Sequence, residues 1–446
     1  MKIFRKCFKT WDELSEHLAS HCPSIYLSSQ TSTVIPFEKI ESFISKVFNQ
    51  DIYLCDLSQL PSEYELLENG NLRVRGPLSW QDANAFVRSK GRSIKTSPTE
   101  SLALVTAGLA TSATGERCFG YGNLRSQVVR LKYFDYMGVE QELSSEKAFT
   151  LKDDVFNNYS DDFQHYTDFK NAPFPRLQQE IDLMIGTEGQ LGVISEVELE
   201  TAELFPVTYL FTLLPKWEKD FNAHYEIYEK VQNYRSDILS CELVDSNCWS
   251  YLDEDNRLGS DNDVLFFEIR ADQFEKVYEQ IFTNLELTSV DDFFEISEER
   301  FHQIRAAVPR AIFEANAKMG VVKHGTDVQV SGDYFKDLMD YYRTGKQLGI
   351  KYNLFGHFGD AHLHYNLMPK PDETQKCKDY LEQLYVKVKE WGGSPFAEHG
   401  IGFLKRNYIM SFFSEYQLEA FKILKRTYDP HLQFFPRGFM DVNDES

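Results

Sequence analysis

Three of the eleven histidines fall in one short stretch, GHFGDAHLHYN at 356–366. Gly359-Asp360 is a turn signal, and residues 361–366 alternate as a strand does. On an extended strand His362, His364 and Asn366 share one face, and a reversal at the turn lets His357 face them. Imidazoles gathered this way suit one divalent transition metal (Zn, Fe or Mn), and a carboxylate commonly completes such a site. The same spacing also describes a polar sheet face of ordinary hydrogen-bonded histidines, and spacing alone does not separate the two.

A second segment, IGTEGQLGVISEVEL at 185–199, brings Gly186, Gly189 and Gly192 together ahead of a β-branched run. Glycine permits positive φ and close approach of a flat or phosphorylated ligand to the backbone. A glycine-rich turn before a strand is the simpler account of the segment alone. It is not the G-x-G-x-x-G fingerprint that opens a helix in doubly wound dinucleotide-binding folds. Arg305, in RFHQIRAAVPRAIF, reads on residue type and setting as a surface helix residue, although a guanidinium also suits bidentate pairing with a carboxylate.

The elements that must position these groups fall into two textures. Up to residue 204, strands alternate with short helices. Strands are expected at 25–27, 51–57, 72–75, 125–134 and 188–200, and helices at 11–19, 40–48 and 80–89. From residue 205, strands at 207–213 and 263–269 frame helical stretches near 216–235, 272–284 and 297–319, with further helices near 370–392 and 414–427. The expectation is an α+β protein of two domains, 1–204 and 205–446.

The whole chain bounds the rest. Its 446 residues suit two cores, and 42% hydrophobic with 35 Phe and 24 Tyr supplies them. A net charge of −22 without a basic block excludes nucleic acid as a primary partner. Seven scattered cysteines with no C-x-x-C fit free thiols in a reducing compartment. No apolar run is long enough to span a bilayer, and the N-terminus lacks a secretory apolar region. A cytoplasmic location is expected.

With these segments in view, the sequence resembles the FAD-linked oxidases of the vanillyl-alcohol oxidase superfamily. It is most similar to the D-lactate dehydrogenase, glycolate oxidase and D-2-hydroxyglutarate dehydrogenase group. IGTEGQLGVISEVEL is similar to the signature that closes the FAD domain. IYLSSQTST (25–33), DIYLCDLSQL (51–60), NLRVRGPLSWQDANAFV (71–87) and TAGLATSATGERCFGYGNLRS (106–126) fall in the family's order. The resemblance implies a two-part, PCMH-type FAD-binding domain, an α+β cap domain for substrate, and a C-terminal segment of about 50 residues returning to the FAD domain. It implies non-covalent FAD on Thr31, Ser32, Gly108, Thr111, Gly115, Glu188, Gly192 and Val193, since no His or Cys lies in 23–33 to link it.

GHFGDAHLHYN and SPFAEHGIGFLKR (394–406) resemble the family's metal motifs, which implies His357, His364 and Glu398 as ligands and His399 as general base. Arg305 and Lys323 match residues for the substrate carboxylate, and Asn366 matches a substrate-contacting Asn. The implied reaction is metal-assisted oxidation of a small D-2-hydroxy acid, with electrons leaving to an acceptor that the sequence does not name. A homodimer is compatible with it.

The departures are specific. In the loop where the family has Arg-Gly-x-Gly-Thr-Ser, this chain has Leu27, Ser28, Ser29, Gln30, Thr31 and Ser32. Thr106-Ala107 stands for a Gly-Gly pair, and Ala110 to Gly115 stands for Ala-Thr-Asn-Ala-Gly-Gly. Ala361 and His362 replace Gly and Asn, Ala306 replaces a Glu beside Arg305, and Phe435 replaces an Asn. The alternative these departures raise is a non-catalytic descendant that binds FAD weakly and serves as a binding or scaffold protein. A third reading, a transferase such as alkyl-dihydroxyacetone-phosphate synthase, lacks its own signatures here.

Overall fold

A computed structural model describes residues 1–259 and 261–441. The chain divides into two compact units, one of Met1–Gly115, Asn123–Leu204 and the segment from Glu398 onward, the other of Glu116–Gly122 and Phe205–Ala397.

The first unit is built on two main sheets. Three parallel strands lie side by side, with Ile52–Asp56 between Ile3–Cys7 and Ser24–Leu27. The connecting helix Trp11–Ala19 starts where Thr10 caps the Glu13 amide, and buries Leu14 and Leu18. An antiparallel sheet runs Glu63–Leu66, Leu72–Arg75, Val193–Leu199, Val128–Phe134, Glu140–Ser144. Its central strand, VISEVEL, buries every second residue, the signature of a strand with one face in the core. The strand expected from residue 188 begins only at Val193, because Gly186, Glu188 and Gly189 all take positive φ and keep the preceding stretch turned.

The C-terminal segment belongs to this unit, as the resemblance implies for the fold. Its helix Glu415–Tyr428 carries Lys425, whose buried ammonium donates to Asp429, the Phe434 carbonyl and the Gln190 carbonyl. Gln190 in turn accepts from the Met440 amide. Through Gln190 the glycine-rich loop is thereby tied to the C-terminal segment by a buried charge-assisted network.

The second unit is one seven-stranded sheet, ordered Phe293–Glu295, Val207–Leu214, Asp263–Arg270, Ile238–Val244, Lys351–His357, His362–Met368, His324–Gly325. All seven residues of Ile238–Val244 are buried, so the strand, absent from the expected elements, shows no apolar–polar alternation. The 22-residue helix Glu298–Met319 is capped by Ser297 and stopped by Gly320 at φ 63. Its Phe301, Ile304, Val308 and Ile312 form a core with Trp249 and Phe266.

Candidate functional site

The hairpin of Lys351–His357 and His362–Met368 does what the alternation of 361–366 suggests. The strands pair in register from Lys351↔Met368 to His357↔His362. Ala361 closes the turn at φ 50, holding with a side chain the left-handed conformation for which the related motif has glycine. This brings His357, His362 and His364 together, with one ring nitrogen of each within 4.8 Å of the others.

Their hydrogen bonds assign the tautomers. His357 Nδ1 lies 2.8 Å from Glu242 Oε1, and His364 Nδ1 lies 3.2 Å from the Thr326 carbonyl. Both partners accept, so Nδ1 carries the proton in each and Nε2 is the unprotonated nitrogen. Outer carboxylates and carbonyls hold metal-binding imidazoles in this way. His362 reverses the pattern, with Nε2 at 3.1 Å from Asp327 Oδ1. The donor set therefore fits a divalent transition metal through nitrogen ligands.

Arg305 is not the surface helix residue its setting suggested. It is buried, and its Nη2 donates to both Glu242 and Glu116, the latter at 3.1 Å. Burial disfavours charge on Glu116, yet the facing Arg305 and His357 hold its carboxyl below the usual range. Asn366 is buried and donates to Asn353 Oδ1 at 3.0 Å across the hairpin. Lys323 is exposed, and desolvation by the surrounding protein lowers its ammonium pKa against the pull of Asp327.

In the first unit, Glu398 is buried and bonded to Lys170 Nζ at 3.0 Å and Thr114 Oγ1 at 3.2 Å, both through Oε1. His399 follows on a half-buried loop with Gly400 and Gly402 at positive φ. Glu188 holds that loop, accepting from the Ile401 amide at 2.5 Å and the Gly402 amide at 2.9 Å. Burial raises the Glu188 pKa, and these two amides oppose the rise.

The glycines expected at FAD have other neighbours as well. A Cβ on Gly108 would meet the Trp80 indole, on Gly115 the Ser97 carbonyl, and on Gly192 the Tyr133 ring. A Cβ on Gly189 would make only an ordinary contact, with the Gly192 carbonyl at 3.8 Å. Val193 points into the core beneath the loop. Thr31 and Ser32 are half-buried, with their hydroxyls near Ser29 and the Val34 amide. Gln30 and Ser112 keep φ of 56 and 50 where the related loops have Gly and Asn. Side chains have replaced those residues without moving the backbone out of the left-handed region.

Glu242, Glu116 and Lys170 were missed by sequence reasoning. The available signal was a charge inside an apolar run, as in ILSCELV around Glu242.

The chain is thus two units, one carrying the glycine-rich loop and the other the imidazole cluster, the two features that the FAD-linked resemblance implies. The profile for FAD linked oxidases, C-terminal domain, matches residues 208–437, more than half of the chain, and the protein belongs to that family. D-lactate dehydrogenase of Anaerostipes hadrus is 21% identical over 384 residues, covering 83% of this chain and 76% of the relative. D-2-hydroxyglutarate dehydrogenase of Xanthomonas citri pv. viticola is 26% identical over 361 residues, covering 75% and 68%. Glycolate oxidase subunit GlcD of Bacillus subtilis is 23% identical over 266 residues, covering 56% and 54%. A solved alkyldihydroxyacetonephosphate synthase shares the fold at TM-score 0.65 and 13% identity, over 98% of this chain and 76% of that one.

Proposed function

We propose that the protein is an FAD-dependent, metal-assisted dehydrogenase of a small D-2-hydroxy acid. The observation that carries this reading is the imidazole cluster, with Nδ1–H of His357 and His364 each tied to an acceptor. The names of the related D-lactate and D-2-hydroxyglutarate dehydrogenases support the substrate class.

In this reading Thr31, Ser32, Gly108, Thr111, Gly115, Glu188, Gly192 and Val193 hold FAD non-covalently. His357, His364 and Glu398 hold one divalent metal. The flavin supplies a hydride acceptor and the metal a Lewis acid that lowers the pKa of the substrate hydroxyl. Arg305 and Lys323 bind the substrate carboxylate, and Asn366 orients the substrate. His399 accepts the hydroxyl proton as general base. The electrons pass to an external acceptor, and a homodimer in the cytoplasm is compatible with the scheme. Among the described residues, no helix is long and apolar enough to cross a membrane.

The test is anaerobic flavin reduction by D-2-hydroxy acids. Loss of a general base costs roughly 10²- to 10⁴-fold in rate. His399→Ala should lose that factor while keeping flavin, metal and melting temperature. A variant that reduces its flavin as fast as wild type removes His399 from the mechanism. A wild-type protein that neither carries nor takes up FAD supports the non-catalytic alternative.

A further inference from the structure

Glu242 lies in the middle of a strand whose other residues are Ile238, Leu239, Ser240, Cys241, Leu243 and Val244, all buried. The neighbouring strand pairs Gly356 with Leu243 and Phe355 with Val244. Continuing that register sets Glu242 opposite His357, with both side chains on one face. A carboxyl group in this setting costs several kcal/mol unless every oxygen is matched, and a leucine would fill the space without that cost.

Both oxygens are matched, and by different groups. Oε1 accepts from His357 Nδ1, and Oε2 accepts from Arg305 Nη2. Arg305 also reaches Glu116. Two carboxyl groups thus face one guanidinium, and the His357 imidazole is the second donor on Glu242.

We infer that Glu242 is a positioning residue, which fixes His357 as its Nδ1–H tautomer with Nε2 presented to a metal ion and at the same time anchors Arg305. The inference rests on the metal reading above and deepens it. One carboxyl group sets the distance between the imidazole that would serve the substrate hydroxyl and the guanidinium that would serve its carboxylate. No single sequence motif contains the three residues, because they come from two neighbouring strands and a helix.

The test measures zinc affinity of the purified full chain by competition with a chromophoric chelator, without substrate. Loss of an outer partner typically lowers metal affinity about 10- to 100-fold. Glu242→Leu should show that loss, and Glu242→Gln, which keeps an acceptor but not the charge, should fall between Leu and wild type. Zinc affinity equal to wild type in both variants overturns the inference, as does an order of affinities that merely follows the order of melting temperatures. If Glu242→Leu does not fold, Glu242→Gln against wild type carries the comparison. A wild-type chain that takes up no zinc, iron or manganese defeats the metal reading itself. Glu242 is then judged by the ¹⁵N shifts of His357. A protonated Nδ1 in wild type that is lost or mixed in Glu242→Leu supports the positioning role, and the same tautomer in both defeats it.

Discussion

Lys170 and Glu398 form an ion pair at 3.0 Å with both side chains buried. The pair spans 228 residues of sequence within the first unit, joining the segment ahead of the glycine-rich loop to the one that carries His399. Only Oε1 of the carboxylate is used by Lys170 and by Thr114. The ammonium therefore fixes the orientation of the other oxygen.

Removing one member of such a pair leaves a buried charge without its partner. Lys170→Met should destabilise the first unit by about 3–5 kcal/mol. The double variant Lys170→Met/Glu398→Gln should recover part of that loss, because no isolated charge remains. Denaturant unfolding checks both, and a single variant as stable as wild type would show that the pair contributes nothing.

Left-handed residues give a prediction of the opposite sign. Ala361 at φ 50 bears a left-handed cost of about 1–2 kcal/mol, against about 0.5–1 kcal/mol of added chain entropy for glycine. Ala361→Gly should therefore raise the melting temperature of the second unit by a few degrees. Gln30→Gly should relax its loop in the same way and tighten FAD several-fold, read by quenching of flavin fluorescence. Weaker FAD in that variant would mean that the Gln30 side chain itself holds the cofactor.

Much of this architecture was legible because local rules decide it. The helices over 11–19 and 297–319 read from the pattern of their residues, and the structure adds the caps, Thr10 on the first and Ser297 and Gly320 on the second. The hairpin of the histidines follows from period two. Glu242 and Lys170 escaped because their partners are distant in sequence: His357 lies 115 residues from Glu242, and Arg305 lies 63. A charge in an apolar run announces a need for a partner without saying which. Arg305 was misplaced for the same reason. Its burial is decided by Glu242 and Glu116, which lie far from it in sequence.

Buried Asp245 makes stability depend on pH. Desolvation, then the neighbouring Asp263, pushes its carboxyl up to about 7, whereas an unfolded Asp titrates near 3.9. Between those values the folded state holds a proton that the unfolded state has lost. The contribution is fully present below about pH 4 and disappears as pH rises through 7. Asp245→Asn mimics the protonated group, so it should flatten this slope and melt higher than wild type at pH 8. Calorimetry at pH 5 and pH 8 decides it, and parallel slopes in the two proteins would reject Asp245 as the source.

The loop of Glu398 and His399 offers the test that separates positioning from chemistry. Glu188 accepts both the Ile401 and Gly402 amides through separate oxygens, a charge-assisted grip on a loop whose glycines lend it no stiffness. Hydrogen bonds to a charged group contribute about 1.5–3 kcal/mol each. Glu188→Ala removes both and leaves the two amides to water. Hydrogen exchange should speed up across 398–405, while the helix Glu415–Tyr428, tied separately through Lys425, should keep its protection. Misplacement of a catalytic group by about 1 Å can cost on the order of 10²-fold, so flavin reduction should slow even though His399 is intact. Exchange and rate should therefore change together in Glu188→Ala, whereas His399→Ala should change the rate with exchange preserved. Unchanged protection of Ile401 and Gly402 in Glu188→Ala would show that other contacts hold the loop and that the carboxylate is not its anchor.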